Sequence, residues 1–397
     1  MGDWKEYKLG DLLAINYGKD YFHLNEGIYP VFGSGGKMCL VDDYLYSGPS
    51  ILLPRVGTLG NIFFVDKPFW TVNTMFWTKI NDEIVYPRFL YYALKSFNLS
   101  GLNMGSAVPR LNKKTLESIE IKIPINLSIQ NKISNILGSF DDKIAVNKKI
   151  CENLEAQAQA LFKHWFVDFD PFKDGKFVES EIGLIPNGWR VGQIKDIPHT
   201  LNTGKRPKGG AITSGVPSIG AEQLKGLCNY DYTKTKYISK EYSQSIPKGK
   251  VIGYEVYLNR VGGKPGDYIQ NTTMFGEGYP FENCYLNDHV FKLDFMQNRG
   301  YNVFIYFTFL TTRIQKYLNA CGGKAAIPVI NKQNIDDIYV FLPENEYVIK
   351  FGESVLPMIN MIFKIGVESA RLSTLRDTLL PKLMSGELKV NEIEDVL

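Results

Sequence analysis

Arg55 and Arg260 each stand directly before a Val-Gly step, and other hydrogen-bond-donating side chains accompany each of them. In the first half of the chain these are Lys37, beside the Gly-rich stretch Phe32-Gly33-Ser34-Gly35-Gly36, and Arg110 with Asn112 and Lys113. In the second half they are Lys205, Arg206 and Lys208, then Lys264, then Asn331 and Lys332. Hydrogen-bonding side chains on loops can reach base edges in a groove, while lysines hold phosphates. The pattern therefore points to a surface that reads nucleic acid. Arg110 has Val329 at the matching place, so it either reads something peculiar to one half or has no general role. The recurring Asn112 and Asn331 suit phosphate contact or, as the better fit, the capping of short helices beginning after them. Residues 200 to 264 hold eleven lysines and arginines against four carboxylates, interleaved with Tyr230, Tyr232, Tyr237, Tyr242, Tyr254 and Tyr257. That mixture suits a phosphate-lined surface, and a solvated lysine-rich face would have the same composition.

Catalytic constellations are harder to find. None of the Gly-Lys pairs, from Gly18-Lys19 to Gly323-Lys324, is followed by the Ser or Thr of a phosphate loop, which argues against ATP hydrolysis. The Phe32–Gly36 stretch lacks the long strand before it and the helix after it that a dinucleotide site needs, so a tight loop is expected there. With no Pro-Pro pair, the chain lacks the polar-Pro-Pro-aromatic loop of enzymes that methylate a base amino group. Asp141-Asp142-Lys143 has a composition seen around nuclease metals, but it falls within a helical pattern where such residues face solvent. The four histidines and five cysteines (Cys39, Cys151, Cys228, Cys284, Cys321) show no metal-ligand spacing, so no metal is expected and the thiols read as reduced. The polar N-terminus and the absence of an apolar run of about 18 residues imply neither signal peptide nor membrane span, hence a cytoplasmic protein.

The elements that must position these residues come in two copies. Trp4, Leu9 and Asp11 answer to Trp189, Ile194 and Asp196; Pro30 and Gly33 to Pro217 and Gly220; Phe89–Tyr92 to Phe304–Phe307. The densest match sets Ala107–Lys113 against Ala326–Lys332, followed by Ile119–Pro124 against Ile338–Pro343. A period of roughly 200 residues is domain duplication rather than a solenoid array. Each copy has short β-branched and aromatic runs broken by Gly and Pro, a β-rich mixed texture. The whole chain's 397 residues, 44% hydrophobic and 22% charged, are those of an ordinary globular protein of two or three domains, with an aromatic share of 13% that hints at stacking or interfaces. The net charge of +3 is too small to identify a partner.

After each β-rich copy the period changes. Ile133, Leu137, Phe140, Ile144, Asn147, Cys151, Leu154, Ala158, Leu161 and Trp165 alternate in steps of four and three, as do Phe351, Val355, Met358, Ile362, Ile365, Ser369, Leu372, Arg376, Leu379 and Leu383. These are two coiled-coil seams with each other as the obvious partner. About 33 residues of seam make a rod of roughly 50 Å, on the order of 15 base pairs of B-DNA. Asn147 at a seam position either fixes register or faces solvent. Gly138 and Pro357 are expected to separate a short turn from each rod.

Three segments carry a family resemblance: Ala160-Leu161-Phe162-Lys163-His164-Trp165-Phe166-Val167-Asp168-Phe169, Ile185-Pro186-Asn187-Gly188-Trp189, and Leu379-Leu380-Pro381-Lys382-Leu383-Met384-Ser385-Gly386-Glu387-Leu388. With the duplicated layout, they make the chain resemble the specificity subunit of type I restriction-modification systems over essentially its whole length. The resemblance implies a mixed α+β chain with pseudo-twofold duplication: two β-rich target recognition domains separated by two long antiparallel coiled-coil helices. Expected boundaries are 1–125 and 187–343 for the recognition domains, 126–169 and 344–390 for the spacer helices, 170–186 for a linker and 391–397 for a tail. It further implies that each domain reads half of a split target in double-stranded DNA. The chain itself would be non-catalytic and carry no cofactor. S-adenosylmethionine would belong to two modification subunits, docked by the helices with Phe162, Trp165, Phe166 and Phe169. ATP-driven translocation and cleavage would belong to restriction subunits. Base-contacting residues do not transfer by motif. The alternative is a non-catalytic scaffold whose two domains bind protein or glycan.

Overall fold

The computed structural model describes residues 4–97, 99–102, 110–296, 298–323, 326–342 and 345–390. Ala107-Val108-Pro109 and Pro343 of the repeat, Lys324 and the expected tail lie outside the described residues. The chain divides into two compact units, one made by residues up to Lys143 together with those from Leu372 onward, the other by Ile144–Arg371.

The first unit begins with strand Trp4–Lys8 paired antiparallel to Glu120–Pro124, Tyr7 opposite Ile121. Its main sheet is antiparallel, in the order Leu13–Tyr17, Met75–Ile80, Ser50–Pro54, Phe63–Val65. Ser50–Pro54 is buried throughout, which explains its unbroken apolar run of Ile, Leu and Leu where a half-exposed strand would alternate. A smaller sheet sets Tyr29–Gly33 between Gly36–Val41, antiparallel, and Trp70–Thr71, parallel. Helix Pro87–Lys95 opens on Pro87, whose missing N–H costs nothing in a first turn, and buries Phe89, Leu90 and Tyr92.

The second unit repeats this plan. Arg190–Gln193 pairs with Tyr339–Leu342. The main sheet runs Thr200–Thr203, Val290–Asp294, Val256–Asn259, Thr272–Met274, and the smaller one sets Val216–Ile219 between Lys236–Ile238 and the parallel Tyr285–Leu286. Phe304–Phe307 lie in helix Arg299–Phe309, fully buried. Even single bonds recur: Leu9 donates its N–H to the Ile119 carbonyl (2.8 Å) and Ile194 donates to Ile338 (3.0 Å). The duplication read from the sequence is a duplication of topology.

Two helices, Leu127–Phe166 and Asn345–Ser385, contribute to both units. In the first unit Ile133 and Leu137 join Leu380 and Leu383 in the core, with Leu379 packed against it. In the second, Val355 and Ile362 are buried with Cys151 and Ala158, with Leu154 and Leu161 at the margin. Ile144 and Leu372 are half-buried. Asn147 is buried, and its amide donates to Glu368 Oε2 at 2.7 Å and Ser369 Oγ at 3.2 Å. Cys151 meets the Ile362 carbonyl and Phe162 meets Phe351, so within this unit the helices run antiparallel. Burial rules out the solvent-facing reading of Asn147, whose Nδ2 is paired across the seam while its Oδ1 is left without a partner.

The breaks expected at Gly138 and Pro357 do not occur, since both helices continue through them. Gly138 is there for close packing: a Cβ would lie 2.7 Å from Arg88 Cζ, and Arg88 Nη2 donates to the Gly138 carbonyl at 3.2 Å. Pro357 is exposed, and so is Glu353, whose carbonyl would have received the missing N–H, so the orphaned carbonyl lies where solvent can reach it. Arg88 also grips Asp142 at 2.6 and 2.9 Å, while Asp141 accepts from Tyr92 Oη (2.7 Å) and Arg376 Nη1 (2.5 Å). The Asp141-Asp142 pair thus pins helix to helix, not a metal.

The hydrogen bonds from Arg88 hold the Asp142 carboxyl below its ordinary range. A carboxyl whose folded value is lowered contributes stability above its unfolded value and loses it as pH falls through the folded one. Asp142→Asn is therefore expected to be less stable than the parent at pH 7, with the difference closing below about pH 4, as read from denaturant midpoints across that range.

Candidate nucleic-acid interface

In the first unit, strand Ser50–Pro54 ends on Arg55, whose N–H donates to the Thr74 carbonyl (2.9 Å) and whose carbonyl accepts from Leu111 N–H (3.0 Å). Val56 forms a bridge with Arg110. The Arg55 guanidinium donates to the Asn73 carbonyl at 3.0 Å and sits over the Tyr17 ring. Gly57 has φ of 101° and faces Ser34, where a Cβ would come to 3.0 Å from the hydroxyl, and Asn61 Nδ2 donates to the Ser34 carbonyl at 3.0 Å. These contacts bring the Arg55 loop against the Gly33–Gly36 hairpin turn, which is the tight loop expected and which presents exposed Lys37. Arg110 is exposed; Lys113 is half-buried and pairs with Glu117 at 3.6 Å.

The second unit reproduces the clamp. Arg260 N–H donates to the His289 carbonyl (2.7 Å), its carbonyl accepts from Ile330 N–H (3.0 Å), and Val261 bridges Val329 where Val56 bridged Arg110. Around it opens a cleft of about 630 Å³ lined by Lys205, Lys248, Arg260, Asn331 and Lys332 over apolar Phe291. Arg260 Nε is buried here without a hydrogen-bond partner. A buried donor left unpaired costs about 1–3 kcal/mol, which a ligand acceptor would relieve. Of its polar lining the sequence singled out Lys205, Arg260, Asn331 and Lys332; Lys248 entered only as one of the basic residues of 200–264, and Asn202, Thr203 and Ser245 carried no signal.

Other expected contacts stand apart from this cleft. Arg206 lies 3.4 Å from Asp288, exposed Lys208 precedes the Gly209-Gly210 turn, and Lys264 is exposed on the small hairpin Gly263–Lys264 with Asp267–Tyr268. Asn112 and Asn331 take the helix-capping role that their position favoured over phosphate contact. Asn112 Oδ1 accepts from Thr115 N–H (2.7 Å), and Asn331 Oδ1 from Asn334 N–H (3.0 Å), the latter within a reciprocal capping box. Their oxygens cap helices Lys113–Glu117 and Lys332–Asp336 and are not available to read bases.

The aromatic cluster expected to dock partner subunits is also largely interior. Phe162, Phe166 and Phe169 are buried and Trp165 half-buried. Phe166 meets Phe304 at 4.9 Å and Phe351 at 5.3 Å, and Phe169 meets Trp189 at 5.5 Å. Their edges floor a cleft of about 540 Å³ whose rim carries exposed Val167 and Leu184 beside Arg313. An open aromatic docking face is thus replaced by a packed core with a shallow apolar opening.

Two β-rich copies of one topology, each ending in the same arginine clamp and each continuing into a long helix, define a duplicated recognition module. A model of the type I restriction modification DNA specificity domain matches residues 1–156. The type I restriction enzyme MjaIX specificity subunit of Methanocaldococcus jannaschii is 28% identical, covering 98% of this chain and 89% of its own. The HindI specificity subunit of Haemophilus influenzae is 24% identical over 98% of this chain and 100% of its own. A putative type I specificity subunit N-terminus from Mycoplasma pneumoniae is 30% identical, over 34% of this chain and 77% of its own. The crystal structure of a type I restriction-modification S subunit from M. genitalium shares the fold, with a TM-score of 0.59 at 17% identity and 96% coverage of both chains. The chain belongs to the family of type I restriction-modification specificity subunits.

Two outcomes follow for stability. Phe166→Ala should cost about 3–5 kcal/mol in denaturant unfolding, as a ring lost from a packed core does. Asn331→Ala should cost about 1 kcal/mol while Asn331→Ser, which keeps a capping oxygen, stays near the parent.

Proposed function

We propose that this chain is the sequence-reading, non-catalytic subunit of a type I restriction-modification complex, each β-rich domain reading one half of a split target in double-stranded DNA. The observation that carries this reading is the duplicated clamp, with a donor of Arg260 left unsatisfied beside Lys205, Lys248 and Lys332. Arg55 and Arg260 would present paired donors to base edges in the major groove, while Lys37, Lys113, Lys205, Lys208, Lys264 and Lys332 hold phosphates. The difference between Arg110 and Val329 at one bridge position supports unlike half-sites.

In this reading the recognition domains are residues 1–125 and 187–343, joined through 170–186, and the helices of 126–169 and 344–390 set the spacing between half-sites. A helix of 40 residues is about 60 Å long. The helices, with the apolar opening beside Phe162 and Phe166, dock two modification subunits, whose S-adenosylmethionine supplies the methyl group. Restriction subunits add ATP-driven translocation and cleavage, and the complex works in the cytoplasm.

Methylation mapping of DNA from cells expressing the chain with its modification subunits is expected to reveal a split motif modified in both halves. Arg55→Ala and Arg260→Ala should each weaken binding by about 1–3 kcal/mol and relax discrimination in one half only, a different half for each variant. Binding to duplexes scrambled in one half at a time checks this. Full half-site discrimination in both variants contradicts the assignment, and binding indifferent to DNA and salt would instead describe a protein- or glycan-binding scaffold.

A further inference from the structure

Taken in order along the chain, Lys37 answers to the group Lys205, Arg206 and Lys208, but the structure places them differently. Lys37 lies on a hairpin strand opposite Phe32; the corresponding strand of the second unit is Lys236–Ile238, where Lys236 pairs with Glu222 at 3.1 Å. Lys205 instead follows the first strand of the main sheet, Thr200–Thr203, and the residue that follows the equivalent strand Leu13–Tyr17 by the same step is Lys19.

The glycines before these two lysines make the equivalence specific. A Cβ on Gly18 would lie 2.1 Å from the Val72 carbonyl oxygen and 2.6 Å from that of Thr71; on Gly204 it would lie 1.6 Å from the carbonyl oxygen of Leu286. Thr71 and Leu286 are the same position: each ends the parallel strand of the small sheet, opposite Phe32 and Ile219, and each stands three residues before the carbonyl that accepts the clamp arginine's N–H. Only glycine fits either place, so the chain passes hard against the end of the small sheet's parallel strand at the same point in both domains. Lys19 is then held by its own backbone, its N–H donating to the Thr71 carbonyl (2.9 Å) and its carbonyl accepting from Trp70 Nε1 (3.0 Å). Its side chain is exposed and forms no ion pair among the described residues, as is true of Lys205 in the basic cleft.

We infer that Lys19 is a phosphate contact of the first domain, the counterpart of Lys205, so that the Gly-Lys step gives each half-site one backbone anchor next to its clamp arginine. This rests on the DNA-reading function proposed above. A pinned backbone limits the freedom the lysine loses on binding, and a phosphate replaces its counterion shell without regard to sequence.

The test uses the full chain assembled with its modification subunits and the mapped target duplex, together with duplexes scrambled in either half, titrated between 50 and 200 mM salt. Lys19→Ala is expected to weaken all three duplexes by a common factor and to lower the slope of log affinity against log salt by about 0.9, with Lys205→Ala doing the same. Lys19→Arg should stay near the parent. Lys122→Ala, an exposed lysine on the separate Glu120–Pro124 strand, should leave the slope unchanged. An unchanged slope for Lys19→Ala beside a lowered one for Lys205→Ala overturns the inference alone. A loss confined to one sequence makes Lys19 a base reader and also overturns it, as does an equal slope change in Lys122→Ala, which marks a diffuse field effect. Unchanged slopes for both Lys19→Ala and Lys205→Ala sink the proposed interface itself.

Discussion

One backbone hydrogen bond orders the arginine loop in each unit: the carbonyl of Arg55 or Arg260 receives the N–H of Leu111 or Ile330. It ties a loop leaving the buried central strand to a segment far along the chain that leads into a short capped helix. The arginine is thereby fixed on both sides, its own N–H being held by Thr74 or His289. In the proposed base-reading role a side chain needs such a base, because a guanidinium on a mobile loop would lose much of its pairing energy to ordering.

The same bond explains why the matching tripeptide and the Asn-Lys step recur together. Asn112 and Asn331 start the helices that follow the clamped segment, so the cap and the clamp are one local construction. The two domains then differ in what they hang upon it. The second surrounds its arginine with lysines in a concave cleft, whereas in the first the guanidinium is occupied by the Asn73 carbonyl and the Tyr17 ring.

Much of this was legible in the chain because it lies in short motifs and strict periods. The seam spacing located both helices, and the paired tripeptides located both clamps. What escaped was set by tertiary contact. Gly138 looks like a helix breaker until Arg88 fills the space its missing Cβ leaves, and Pro357 until its turn proves to be solvent-exposed. Phe162 and Phe166 look like a docking surface until Phe304 and Phe351 close over them. Lys19 was visible only as one Gly-Lys pair among several and Lys248 as one lysine in a basic stretch, and only the fold says what stands beside each.

The long helices have a consequence for how such a chain can be recombined. Leu137 belongs to one hydrophobic core and Phe162 to another, yet both sit on a single unbroken helix, and Val355 and Leu383 divide the other helix in the same way. A graft that exchanges one recognition module for a foreign one must therefore bring its share of each helix with it. The natural crossover points fall in mid-helix, near Lys143–Ile144 and Arg371–Leu372, and a cut at the loops that bound the β-rich blocks would separate each module from the leucines and phenylalanines that complete its interior.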